Sequence, residues 1–109
     1  MKNSFDDELL TETTKIYKVL SNPTRVKLLY SLESNEMTVN EIAEKLDLAQ
    51  SVVSHQLAIL REHQLISFNK KGKYVSYTLD DPHILSIIEL TFDHVSHVIK
   101  HEPHHYNFR

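Results

Sequence analysis

Asp81-Pro-His83 and His94-Val-Ser-His97 place one carboxylate and three imidazoles, all able to ligate a metal ion, in a chain that has no cysteine. A helix turns about 100° and rises about 1.5 Å per residue. His83 and His94, eleven residues apart, therefore fall on nearly the same helical face, with His97 one turn further on. Along the axis the two pairs are separated by about 16 Å. Nitrogen and oxygen donors must sit about 2 Å from a zinc-type ion, so one copy of this helix cannot gather all four. Two copies packed antiparallel can, because the Asp81/His83 end of one then meets the His94/His97 end of the other. The spacing predicts a dimer with two symmetric sites, each shared between chains.

Each ligand also has a plainer reading. Asp81 ahead of Pro82 suits a helix N-cap, and a capping carboxylate still has an oxygen free to ligate. His83 alone would be a surface residue, and His94 with His97 would line a polar face. The pairing at a distance of eleven residues is what favours ligation. Three imidazoles and a carboxylate suit Zn(II) in a closed tetrahedron, with Co(II) as a close mimic. Ni(II) prefers more donors, for which His101, His104 and His105 are candidates; otherwise the end of the chain is a frayed, solvated tail.

The element that must carry these groups is a last helix, started by Asp81-Pro82, running to about Lys100 and stopped by Glu102-Pro103. Its opposite face is apolar, with Ile84, Ile88, Phe92, Val95 and Ile99. Earlier helices are expected over residues 6–20, with Leu9, Leu10, Ile16, Tyr17 and Leu20 on one face, and from Asn22-Pro23 to about Ser34. A capping box at Thr38-Val-Asn-Glu41 opens a third. After Asp47-Leu48-Ala49 a fourth runs from Gln50 to Glu62, with Val53, Leu57 and Leu60 inward. Beyond Leu65 the period turns toward two. Ile66 and Phe68, then Tyr74 to Leu79, read as strands of a hairpin joined through Lys70-Lys71-Gly72-Lys73, where the only glycine meets the need for positive φ.

With 109 residues the chain is one domain, small enough that a dimer interface would supply missing apolar burial. No apolar run is long enough to span a membrane, and the first residues lack a signal-peptide core, so a cytoplasmic protein with no membrane partner is expected. Lack of cysteine removes disulfides, thiolate metal sites and thiol redox switching. The net charge of −3 is unevenly spread. Acids gather at residues 6–8, 33–44 and 80–81, whereas Gln50 to Lys73 holds Arg61, Lys70, Lys71 and Lys73 against Glu62 alone.

Helix, short turn, helix and basic hairpin is the order of a winged helix-turn-helix, which lays its second helix in the DNA major groove. The fold class expected is mainly α with a β-hairpin. Near the start of the second helix, Gln50, Ser51, Ser54, His55 and Gln56 read as exposed, offering short or amide-bearing groups to base edges and phosphates. Lys70, Lys71 and Lys73 would touch phosphates.

Leu20-Ser-Asn-Pro-Thr-Arg-Val-Lys-Leu-Leu29, Leu48-Ala-Gln-Ser-Val-Val-Ser-His-Gln-Leu57 and the Asp-x-His…His-x-x-His spacing resemble the ArsR/SmtB family of metal-responsive repressors, most closely its CzrA/SmtB-type zinc and cobalt sensors. The likeness covers roughly residues 10–98. It implies a homodimer, joined through its N- and C-terminal helices, that binds operator DNA when metal-free. Metal at Asp81, His83, His94 and His97 then releases it, so that efflux genes are expressed. The resemblance assigns DNA contacts to Gln50, Ser51, Ser54 and His55, and gives His94 a hydrogen bond to the backbone carbonyl of Gln64. Residues 1–101 would form the DNA-binding and dimerisation domain, and 102–109 a flexible His-containing tail. The chain departs from many relatives at Ala49, where they carry a capping serine. Alternatives are a nickel-responsive repressor using the tail histidines, a winged-helix regulator independent of metal, a histidine-rich nickel buffer, and a zinc hydrolase. The last needs an open coordination position and a pocket, and four candidate ligands argue against it.

Overall fold

The computed structural model describes residues 6–101. Helix α1 spans Asp7–Val19, and the Asp6 carboxylate accepts the N–H groups of Glu8 and Leu9. Helix α2 spans Pro23–Ser31; Asn22 Oδ1 accepts from Thr24 and Arg25, with proline at the first helical position as its sequence predicts. It ends three residues short of Ser34, because the Leu32 and Glu33 N–H groups turn back to Leu29 and Tyr30 and tighten the last turn. Helix α3, Val39–Leu46, opens on the expected capping box, with reciprocal bonds between Thr38 and Glu41. Helix α4 spans Gln50–Glu62, its predicted bounds, and Ala49 contributes no side-chain cap.

The hairpin pairs β2, Ile66–Lys71, with β3, Tyr74–Leu79. Its two-residue turn has positive φ at Gly72 (+60°) and not at Lys73, the pattern of a type II′ turn. A third strand, β1 (Met37–Thr38), adds to the free side of β3 in the antiparallel order β1-β3-β2. Two residues are too few to show an alternating pattern, so this strand was not legible in the sequence. Helix α5 spans His83–Lys100.

Leu28 and Leu29 of α2, Ile42 of α3, and Val53, Leu57 and Leu60 of α4 form the centre of the core with Ile66. Only the first half of α5 joins it, through Ile84, Leu85 and Ile88. Phe92, Val95 and Ile99, the rest of that apolar face, are exposed in the single chain, and Leu90 and Ile99 reach 70% exposure. Ile16 of α1 and Leu20 just after it pack against the core, whereas Leu9, Leu10 and Tyr17 stay exposed. The two terminal helices thus keep a broad apolar surface outside the core. No helix among the described residues is long and apolar enough to cross a membrane.

Candidate nucleic-acid interface and metal ligands

Helices α3 and α4 are joined by Asp47-Leu48-Ala49. Asp47 adopts a left-handed conformation, and the Leu48 N–H returns to the Ala43 carbonyl. With the Asp47 N–H on the Glu44 carbonyl, two hydrogen bonds close α3 and redirect the chain. Helix α4 then buries Val53, Leu57 and Leu60 and presents Gln50, Ser51, Ser54 and His55 to solvent. These four are the residues expected to meet DNA. Gln56, read as exposed, is half-buried instead. Its amide oxygen accepts from Arg25 Nε at 2.8 Å, so it faces α2. The two residues are 31 apart in sequence, a contact that no local periodicity announces.

The wing is less uniform than its lysine count suggests. Lys70 and Lys73 are exposed. Lys71 Nζ stands 2.8 Å from Glu36 Oε1, tying the hairpin to the segment before β1. That ammonium holds the Glu36 carboxyl below its ordinary range, first by hydrogen bonding and then by charge. A phosphate contact from Lys71 therefore has to compete with Glu36. Arg61, near the end of α4, lies with its guanidinium carbon 4.0 Å from the centre of the Phe68 ring on β2. This cation–π contact fixes the wing against the helix, a role that the charge count alone did not reveal.

Gln64 follows α4 in the left-handed region, φ 60°. Its N–H returns to Arg61, and the Leu65 N–H returns to Leu60, the two bonds of a Schellman motif. The expected carrier of a link from the metal ligands is therefore a backbone point held by the end of the reading helix.

At the start of α5, Asp81 Oδ1 accepts the His83 N–H at 2.9 Å and lies 2.8 Å from His83 Nδ1. Asp81 thus caps the backbone ahead of the helix, since Pro82 already has right-handed helical dihedrals although the hydrogen-bonded helix is His83–Lys100. The His83 backbone N–H, together with the nearby imidazole, lowers the Asp81 carboxyl below its usual value. His94 and His97 lie in the second half of α5, His94 exposed and His97 half-buried. His101 caps the C-terminus with φ 58°, its N–H returning to His97 and Val98. Helical periodicity stops there and no longer sets the direction of this side chain. His104 and His105 lie outside the described residues.

Among the described residues of one chain, no three histidine, aspartate or glutamate groups converge to hold a metal. The donor set itself fits zinc. Two donors of a tetrahedral ion with bonds near 2.0 Å stand about 3.3 Å apart, so the 2.8 Å Asp81–His83 pair needs to open by only about 0.5 Å.

A helix-turn-helix with a small antiparallel wing, its second helix presenting short polar groups beside exposed lysines, defines a winged helix-turn-helix of the DNA-binding class. Residues 22–67 match the bacterial regulatory protein, arsR family. The chain is 31% identical over 84 residues to the transcriptional repressor SmtB homolog of Synechocystis sp., covering 77% of this chain and 64% of that one. It is 34% identical over 84 residues to the cadmium resistance transcriptional regulatory protein CadC homolog of Staphylococcus aureus, covering 76% and 69%. The solved structure of HlyU from Vibrio cholerae is similar with a TM-score of 0.71 at 31% identity, over 79% of this chain and 94% of that one. This chain belongs to the ArsR family of bacterial transcription regulators; it is a DNA-binding regulator and not an enzyme. HlyU is a transcriptional activator, so family membership alone assigns no effector, and the effector has to be argued from side chains.

Proposed function

We propose that the chain acts as a homodimeric repressor that binds operator DNA when metal-free and lets go when Zn(II) or Co(II) binds between two α5 helices. The observation that carries this reading is the pair Asp81 and His83, 2.8 Å apart at the core-anchored start of α5, with His83 on the same helical stripe as His94 and His97. The exposed apolar residues of α1 and α5 support pairing of two copies through those helices, the arrangement that would bring unlike ends together. Asp81 and His83 of one chain with His94 and His97 of the other would hold the ion, which would supply positive charge and a link between the two helices. Gln50, Ser51, Ser54 and His55 would meet base edges and backbone, while Lys70 and Lys73, with Lys71 in exchange for Glu36, would meet phosphates.

Metal can weaken DNA binding only by favouring a conformation that binds DNA less well. A dimer on DNA must span successive major grooves, about 34 Å apart. Fixing the two α5 helices at a new separation would disfavour that span. A ligating histidine ordinarily passes its other N–H to a nearby acceptor. Donation from His94 to the Gln64 carbonyl would connect the ion to the end of α4. Replacing His94 with a ligand that cannot donate should keep metal affinity and lose release.

The test is fluorescence anisotropy of the metal-free protein on the promoter DNA of its own operon, titrated separately with Zn(II) and Ni(II). Wild type is compared with a truncation after Lys100. Zinc-driven release that survives truncation is expected. Release by nickel alone, abolished by truncation, would make His101, His104 and His105 ligands. No release by either metal would overturn the metal-sensing reading and leave a regulator with another effector.

A further inference from the structure

Arg25 occupies the junction of three helices. Helix α1 ends at Val19, which is buried at 4% exposure, and the last carbonyls of a helix have no partner within it. The Ile16 and Lys18 carbonyls are met by the Leu20 and Ser21 N–H groups. The Val19 carbonyl is met by Arg25 Nη1 at 3.1 Å. The same guanidinium donates through Nε to Gln56 Oε1 at 2.8 Å. Its own backbone is pinned in the first turn of α2 by the Asn22 cap. A planar group with donors at fixed angles therefore relates the end of α1 to α4 in both distance and direction.

Gln56 lies roughly 150° around α4 from the middle of the Ser51–Ser54–His55 face. A bond there acts as a stop against rotation of the helix about its axis. Apolar packing of Val53, Leu57 and Leu60 resists separation of α4 from the core but is non-directional, so it constrains roll less sharply. With side-chain tips about 5–6 Å from the axis, a 20° roll moves a base-facing group by about 2 Å. Hydrogen bonds weaken steeply over far smaller displacements.

We propose that Arg25 is a positioning residue that sets the roll of α4, holding Ser51, Ser54 and His55 in register with base edges. The proposal rests on α4 being the DNA-reading helix. It gives Arg25 and Gln56 no contact with DNA, and it predicts a loss of sequence discrimination rather than of phosphate attraction. Sequence-independent affinity comes from lysine and arginine on phosphates and is insensitive to small rolls.

The experiment uses the full-length protein and two labelled duplexes: one that wild type enriches from a randomised pool, and a scrambled duplex of the same length and composition. Anisotropy is measured over a salt series for wild type, Arg25→Met, Gln56→Met, the double variant, Arg25→Lys and His55→Ala, with urea denaturation of each. Either methionine variant is expected to lower the selected-to-scrambled affinity ratio about tenfold, with scrambled binding unchanged. The double variant should lose no more than the single ones, because both remove one stop. Arg25→Lys should recover part of the ratio, since an ammonium lacks the fork but can still reach one acceptor.

Multiplied losses in the double variant would show two independent DNA contacts and overturn the proposal. So would a salt slope reduced by about one in Arg25→Met, the mark of a phosphate contact, or a lower stability with the ratio intact. Should Arg25→Met fail to fold, Gln56→Met, which leaves the Val19 bond in place, carries the test with the same outcomes. His55→Ala separates the two layers of the argument. An unchanged ratio there would overturn α4 as the reading helix, whereas a lost ratio there with an unchanged one in Gln56→Met would overturn Arg25 positioning alone.

Discussion

If each site is built from unlike ends of two chains, two crippled proteins should repair one another. Consider one variant carrying Asp81→Asn and His83→Ala, and another carrying His94→Ala and His97→Ala. Asparagine is chosen at 81 because it caps a helix about as well as aspartate, which protects the 2.9 Å bond to the His83 N–H. Each variant alone forms dimers in which both sites lack half their donors. A mixed dimer has one site with all four and one with none. Random exchange of equal amounts makes half the dimers mixed, so the mixture should hold about one quarter of the wild-type zinc per chain in a symmetric two-site dimer.

The quantity to measure is zinc stoichiometry in competition with a chromophoric chelator, after the two variants have been unfolded and refolded together. The arithmetic depends on the axial gap. His83 and His94 are eleven residues apart on α5, about 16 Å along a helix, while two ligands of one ion lie no more than about 4 Å from each other. Tight stoichiometric zinc in either variant alone would show that two or three donors from one helix suffice. No recovery in the mixture, with both proteins folded and exchanging, would refute the shared site.

Three smaller perturbations follow from local geometry. Ala49→Ser should stabilise the protein by about 1 kcal/mol in urea denaturation, because α4 begins without a side-chain cap and serine supplies one; an unchanged midpoint would mean the Gln50 turn is already satisfied. Gln64→Gly should also stabilise, by about 1 kcal/mol, since φ 60° is costly for a residue with a Cβ, and it leaves the carbonyl assigned to the His94 link in place, so metal response should persist. Asp81→Ala should lower stability at neutral pH. The folded carboxyl sits below its ordinary value of 3.8, so its contribution is present above that value and lost as pH falls through the lower folded one. The wild-type and variant unfolding curves should therefore converge in acid, and a gap that stays constant with pH would mean that charge on Asp81 plays no part.

The sequence carried most where periodicity and capping act locally. Both bounds of α4 were legible because Val53, Leu57 and Leu60 repeat at helical spacing, and Thr38 with Glu41 marked the start of α3 before any contact was known. Gly72 located the hairpin turn because few other residues accept its backbone angle. What escaped reading is non-local. Strand β1 exists because Met37 pairs with Tyr77, Lys71 is diverted by Glu36, and Gln56 is turned inward by Arg25. In each case the deciding partner is more than 30 residues away. The exposure of Phe92, Val95 and Ile99 in the single chain has a different origin. Their spacing identifies an apolar face correctly, but spacing does not say whether the covering surface belongs to the same chain.

That last distinction bears on how the regulator would work. The two halves of α5 differ physically: Ile84, Leu85 and Ile88 are sealed into the core, while Leu90, Phe92 and Ile99 are not. Asp81 and His83 therefore adjoin the core that carries α4, and in the proposed dimer His94 and His97 would sit where the other copy packs. An ion joining the first pair of one chain to the second pair of its partner would link two DNA-reading bodies without crossing either core. Couplings between sites commonly amount to about 1–3 kcal/mol, which is roughly 5- to 150-fold in affinity. Two equivalent sites contributing about 1.4 kcal/mol each would weaken operator binding tenfold with the first ion and a hundredfold with the second. Release would then proceed in two equal logarithmic steps, and the mixed dimer with its single complete site would stop after the first.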